Sequence, residues 1–321
     1  MVREKNCNMK HIRTYGDYNS WKLDYSNPDR GFRLKPTLYK YSDTNVESKI
    51  LLENDDPRKH GDSTYMEITL DSDTEFGFRI CPSSAQPMSY TIDWGDGTVE
   101  TKTAEPNIEG DPGFGLSHNY KRGSYKIELY DVERNYIIPG HSYFENGFIY
   151  PTSSVKRVIL SKDGVAQNMQ DFDYDDYYAF KDCTNLTSIY IPKGAVRIGS
   201  GTFYGCSSLK SINIPEGVTS IWNRGSYSTF QGCTSLTSII IPASVTSIEG
   251  GEYQNGVFSE CRNLKTISSF NTTAPTLGSS GISGQFNGLP TNGTLYIKPG
   301  ATGYDAWLSA LPSGWKIVES L

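Results

Sequence analysis

The residues best able to do chemistry in this chain are four histidines, two neighbouring aspartates, six cysteines and a set of serines that recur at one spacing. His11, His60, His118 and His141 form none of the close pairs that a metal site favours. Asp93 and Asp96 flank Trp94 and could act as paired carboxylates in acid–base chemistry. With loop carbonyls, Asp96 could also help hold calcium, which wants several oxygens. Asp96 lies between Gly95 and Gly97, however, and an aspartate there bonds its own backbone in a tight turn. The turn is the preferred reading, with His118 as a hydrogen-bonded structural histidine. Ser188, Ser211 and Ser238 have no histidine beside them to activate a hydroxyl. G-x-S-x-G, a phosphate-binding glycine loop and H-E-x-x-H are all absent. We therefore expect no catalysis, no cofactor and no metal.

The cysteines lead from chemistry to architecture. Cys183, Cys206, Cys233 and Cys261 each stand three residues after a phenylalanine, while Cys7 and Cys81 are isolated. Cysteines at one phase of a repeat stack in a column, where they behave as small apolar groups. Free thiols are expected. The marker phenylalanines Phe180, Phe203, Phe230, Phe258 and Phe286 are spaced by 23, 27, 28 and 28 residues. After the first three comes x-x-Cys, then Leu, then x-x-Ile-x-Ile-Pro, with an apolar return near Val and Ile. The Ile-x-Ile piece predicts a short strand with both isoleucines on one face. Pro192, Pro215 and Pro242 end it. The repeat serines then form a hydroxyl column on the opposite, solvent side. A unit this small cannot bury its own apolar face, so units must stack and be capped. The fourth unit is degenerate, with Ser269 in the place of an isoleucine. Beyond it, Tyr304, Trp307, Leu308 and Leu311 fall at helical spacing between two apolar runs, predicting a strand–helix–strand cap.

The pattern F-x-x-C-x-x-L-x-x-I-x-I-P-x-x-V-x-x-I resembles the BspA-type leucine-rich repeat, common in Bacteroidetes and their phages. That resemblance implies a solenoid scaffold for adhesion and for protein or glycan binding. Upstream, "YTIDWGDGTVE" runs an alternating strand into the Gly95-Asp96-Gly97 turn. Together with His118, Tyr120, Gly123 and Tyr125 it is similar to the polycystic-kidney-disease (PKD) type β-sandwich, which implies a spacer or interaction module.

The expected chain is thus mainly β, with these parts in order: an aromatic-rich arm or small docking domain (1–60), a PKD-like β-sandwich (61–135), a connector and N-terminal cap (136–179), about four leucine-rich repeats (180–290) and a C-terminal cap (291–321). The arm carries Tyr15, Tyr18, Trp21, Tyr25, Phe32, Tyr39 and Tyr41, too aromatic for an ordinary disordered tail. It could dock on the rest of the chain or on another subunit.

Recognition residues should interrupt the repeat. The run "DFDYDDYYAF" and the additions "WNRGSYS" and "GGEYQNG" all precede a marker phenylalanine. Insertions at one phase of a solenoid emerge along one edge. That candidate binding edge comprises Tyr177, Tyr178, Trp222, Arg224, Tyr227, Glu252 and Tyr253, with Asp175 and Asp176 beside it. Tyrosine and tryptophan are favoured at interfaces, although packing of longer loops would also use them.

The net charge is −6, divided as about +3 over residues 1–60 and −9 over the rest, with no basic patch to suggest nucleic acid. No apolar run approaches the roughly 18 residues of a membrane helix, so no membrane insertion is expected. The polar first twenty residues read as a natural start without a secretory leader. Two readings follow. One is a bacteriophage virion structural, decoration or attachment protein, assembled in the host cytoplasm. The other is a bacterial cell-surface adhesin whose leader is missing from this sequence. The partner in either case is a protein or glycan on a bacterial or virion surface.

Overall fold

The computed structural model describes residues 64–82, 88–104, 114–130, 135–138, 152–159, 179–191, 195–221, 227–249, 256–278 and 284–320. The arm, His11, His60, His141 and Cys7 lie outside the described residues, as does the Cys81 side chain.

Period-two alternation builds the first region. In β1 (Thr64–Leu70), Met66, Ile68 and Leu70 are buried on one face. β2 (Thr74–Pro82) does the same with Phe76 and Phe78. β3 (Met88–Asp93) and β4 (Val99–Ala104) form the hairpin that the glycine turn required. β5 (Phe114–Tyr120), β6 (Gly123–Tyr130) and β7 (Asn135–Ile138) follow, carrying the region past the expected boundary at residue 135. Two sheets result, β5-β2-β7 and the β4-β3-β6-β1 part of a larger one, packed on one core. The Phe78 and Trp94 rings meet across them at 6.0 Å.

A 3-10 turn at Thr152–Ser154 leads into β8 (Val155–Ile159). This strand joins the two regions. It pairs antiparallel with β1 and parallel with β9 (Ser188–Tyr190), the first repeat strand. Met66, Val158 and Ile189 therefore lie side by side on one face, and a single core runs from sandwich to repeats.

Successive repeats add short strands to two parallel sheets. β10 (Arg197–Ile198), β11 (Ser220–Ile221), β13 (Ser247–Ile248) and β15 (Thr276–Leu277) form one sheet. β12 (Ser238–Ile241), β14 (Thr266–Ser269), β16 (Thr294–Ile297) and β17 (Lys316–Glu319) form the other. The strand expected around Ile212 and Ile214 does not form. Both side chains are still buried, because the interior sets their direction even where no ladder closes. The sheet holding β9 consequently ends there, and a new one begins at β12.

The cap forms as strand–helix–strand, with α1 (Asp305–Ala310) between β16 and β17. Trp307 is buried and its indole N–H donates to the Pro275 carbonyl at 2.9 Å. Leu308 departs from expectation: it is 37% exposed. Six helical residues bury a narrow stripe, and Tyr304 and Leu311 at the two ends complete it. Degenerate Ser269 has a role in this cap. Its buried hydroxyl accepts from Tyr304 at 2.7 Å and donates to Asn271 Oδ1 at 3.2 Å. Asn271 in turn donates to the Ala243 and Val245 carbonyls. A polar cluster thus replaces isoleucine where the stack meets its lid, and each of its buried groups has a partner.

Candidate interaction surface

The repeat interior is a set of columns. Phe180, Phe203, Phe230, Phe258 and Phe286 stack with centroids 5.5 to 6.1 Å apart and planes within 7° of parallel. Trp307 closes the column at 5.7 Å, tilted by 49°. Beside it runs the cysteine column, with Cys183, Cys206, Cys233 and Cys261 all free and buried. Each of the last three thiols donates to the carbonyl of the preceding unit's phenylalanine, at 3.0 to 3.2 Å. Burial pushes all four thiols up, Cys261 to about 12, so they carry no thiolate at neutral pH.

The residue two after each phenylalanine is left-handed in every unit. Gly205, Gly232 and Gly288 meet that demand, whereas Asp182 (φ 59°) and Glu260 (φ 61°) hold it as non-glycine residues. There the backbone N–H of Asp182 donates to Tyr204 and that of Glu260 to Asn287. The position just before each left-handed residue holds Lys181, Tyr204, Gln231, Ser259 and Asn287, of which Ser259 is buried and bonded to Gly256 and Gly284.

Of the expected binding edge, Tyr227 is described; Tyr177, Tyr178, Trp222, Arg224, Glu252 and Tyr253 lie outside the described residues, as do Asp175 and Asp176. Tyr227 is half-buried and meets the Tyr204 ring edge-on at 4.6 Å. The Lys181 ammonium sits 4.4 Å from the Tyr227 ring centroid and 5.6 Å from that of Tyr204. It also contacts the Asp182 carboxylate at 2.9 Å. This cluster of cation, carboxylate and two aromatic faces, adjoining the insertion after Ile221, is the best-defined candidate for recognition among the described residues. Sequence reasoning missed Lys181 and Tyr204. A signal was present: the position after each phenylalanine changes from unit to unit, while the phenylalanine itself stays constant.

The upstream aspartates both bond within the turn. Asp93 Oδ1 accepts from Gly95 N–H at 2.8 Å, and Asp96 Oδ1 from Thr98 N–H at 2.9 Å. Asp96 Oδ2 meets His118 Nε2 at 2.7 Å. Partial burial would raise the Asp96 carboxyl, but the bonds from His118 and Thr98 outweigh it and hold it below the usual range. The His118 ring stacks on Trp94 at 5.1 Å, and Tyr120 donates to the Trp94 carbonyl at 2.8 Å. A glycine is obligatory at position 95, where a Cβ would come within 2.4 Å of the Lys126 carbonyl. Trp94, Gly95, Asp96 and Gly97 therefore form a locked turn, with His118 as its clasp. Among the described residues, no group of three or more His, Cys, Asp or Glu side chains is placed to hold a metal.

A family model described as "BspA type Leucine rich repeat region" matches residues 176–284 in six copies. That segment is a BspA-type leucine-rich repeat region. Solved structures similar to the chain include a leucine-rich repeat protein of T. pallidum at 23% identity and TM-score 0.24, covering 43% of this chain and 62% of that one. Another is a leucine-rich repeat protein from Bacteroides ovatus ATCC 8483, at 18% identity and TM-score 0.22, covering 74% and 76%. The chain thus spans less than two thirds of the T. pallidum protein's length. No curated protein matches. The matched repeat region holds the columns of phenylalanine and cysteine.

Proposed function

We propose that this chain is a non-catalytic interaction protein, in which the repeat region is a rigid rail and the residues interrupting it contact a protein or glycan partner. The observation that carries this is the division of labour within each unit. Phenylalanine, cysteine, leucine and isoleucine are buried in the stack, while Tyr204 and Tyr227 lie half-buried at its edge with the Lys181 ammonium largely covered against their rings. Aromatic and cationic side chains on a rigid support suit recognition at low entropic cost. The other residues of the proposed edge are Tyr177, Tyr178, Trp222, Arg224, Glu252 and Tyr253. The test is Tyr227→Ser, with Tyr253→Ser, in an assay of binding to target cells or isolated partner. We expect a loss of at least tenfold; unchanged binding removes the edge from consideration.

For biological setting, we propose a bacteriophage virion structural, decoration or attachment protein. Four buried free thiols in one domain suit assembly in a reducing cytoplasm. The upstream domain is proposed as a PKD-like spacer on the strength of its locked Trp94–Gly97 turn and His118 clasp. The family association of BspA-type repeats with adhesion supports the second setting, a bacterial surface adhesin. Mass spectrometry of purified particles against surface labelling of the producing bacterium separates the two.

A further inference from the structure

Four large apolar residues are buried yet lie outside the shared core: Tyr65 (2% exposed), Ile159 (1%), Ile240 (8%) and Phe270 (8%). Their places in the fold are related. In the sheet joining the two regions, Met66, Val158 and Ile189 face the core, so their neighbours Tyr65, Ile159 and Tyr190, in register across β1, β8 and β9, face the opposite way. In the repeats, Ile239, Ile241 and Ile267 face the core. Ile240, Ser268 and Tyr296, in register across β12, β14 and β16, therefore point outward too. Phe270 follows immediately beyond β14.

An isoleucine with Ser268 on one side and Asn213 at the equivalent place on the other has little to bury it from within its own sheet. Ser268 itself is 2% exposed, and its hydroxyl finds no partner among the groups around it. Tyr65, Tyr190 and Phe270 on this face each engage in further interactions. An apolar stripe from Tyr65 to Tyr296 thus behaves as one side of a second interface, with its cover still to be assigned.

We propose that the cover is the chain's own N-terminal segment, the residues before Thr64, laid along the outward face of β1, β8, β9, β12, β14 and β16. The point of attachment favours it. β1 begins at Thr64, and its next residue, Tyr65, is the first member of the stripe and pairs directly with Ile159. From β8 to β16 is five strand spacings, or roughly 24 Å at about 4.8 Å each. About eight extended residues cover that distance, and 63 are at hand. Composition agrees as well. The segment supplies Tyr15, Tyr18, Trp21, Tyr25, Phe32, Tyr39 and Tyr41, and each buried aromatic covers on the order of 150–250 Å². Its charge of +2 opposes the −8 of the remainder. The stripe is then closed to outside partners, and recognition is left to the loop edge.

The test uses the full chain with a photo-crosslinking residue, p-benzoylphenylalanine, in place of Tyr190 or of Tyr296. Both are half-buried and outward-facing, Tyr296 at one end of the stripe and Tyr190 on the third strand from the other, so one variant remains if the other fails to fold. Irradiation should give crosslinks at monomer mass, to peptides from residues 1–63, in either variant. Crosslinks to another part of the chain, a species of dimer mass, or no protein crosslink at all would overturn the assignment.

Discussion

The sandwich and the repeat stack bury similar residues but divide the task differently. In the sandwich, strands distant in sequence pair antiparallel, and order depends on unique residues. Trp94, Asp96, His118 and Tyr120 together lock one turn, and each has a different role. In the stack, each column repeats one contact. A phenylalanine packs on the next phenylalanine, and a thiol bonds the carbonyl of the preceding unit. Redundancy makes the stack tolerant in its loops but gives its four thiols a common weakness. The sandwich's single Asp96–His118 bond gives it the opposite one. The two regions nevertheless share a strand, β8, and one core.

The largest effect expected is alkaline. Folded thiols are held protonated, so their contribution is intact below the unfolded cysteine value of about 8.5 and is lost as pH rises through it towards the folded values. By pH 10 each of the four costs about 2 kcal/mol in the folding balance. Denaturant titrations at pH 7 and pH 10 should show this loss, with Cys233→Ala reducing it by about a quarter. A stability that holds flat to pH 10 would break the contrast between the two regions.

Next comes Phe230→Ala, in the middle of the ring column, which should cost about 3–5 kcal/mol. Because the sheet and core are continuous through β8, the loss should lower a single calorimetric transition, and Trp94→Ala should lower the same one. Two separable transitions would show that the shared strand fails to couple the regions.

The smallest effect expected is Asp96→Asn. It weakens the bond to His118 and should cost about 1 kcal/mol at neutral pH. The Asp96 carboxyl is held below its ordinary value, so its contribution is present above about pH 4 and fades as pH falls through the folded value. The variant and the parent should therefore converge in acid, as read by thermal melts from pH 7 to pH 3.

Much of this was legible in one dimension. Strict spacing of Phe, Cys, Leu and Ile announced a stack, because a period in sequence becomes a column in space. The Trp94–Gly97 turn was equally readable, since its hydrogen bonds span two to four residues. The cap helix was legible in outline, but Leu308 was misplaced, as the spacing alone cannot say how wide a buried stripe six residues make.

Other features were set by contacts between segments far apart in the chain. β8 carries no repeat signature of its own, yet it is the rung that joins two regions, because both of its edges are satisfied by strands more than twenty residues away. The pairing of Tyr204 and Tyr227 under Lys181 depends on left-handed turns stacking in register. Ser269 looked like decay of the pattern until Tyr304 and Asn271 came within hydrogen-bonding distance. Local chemistry, in short, was determined by the sequence itself: turns, strand faces and the phase of each column. Which outward faces would be buried, and by what, was decided only in three dimensions, because burial depends on the neighbours that folding brings together and not on the residue alone.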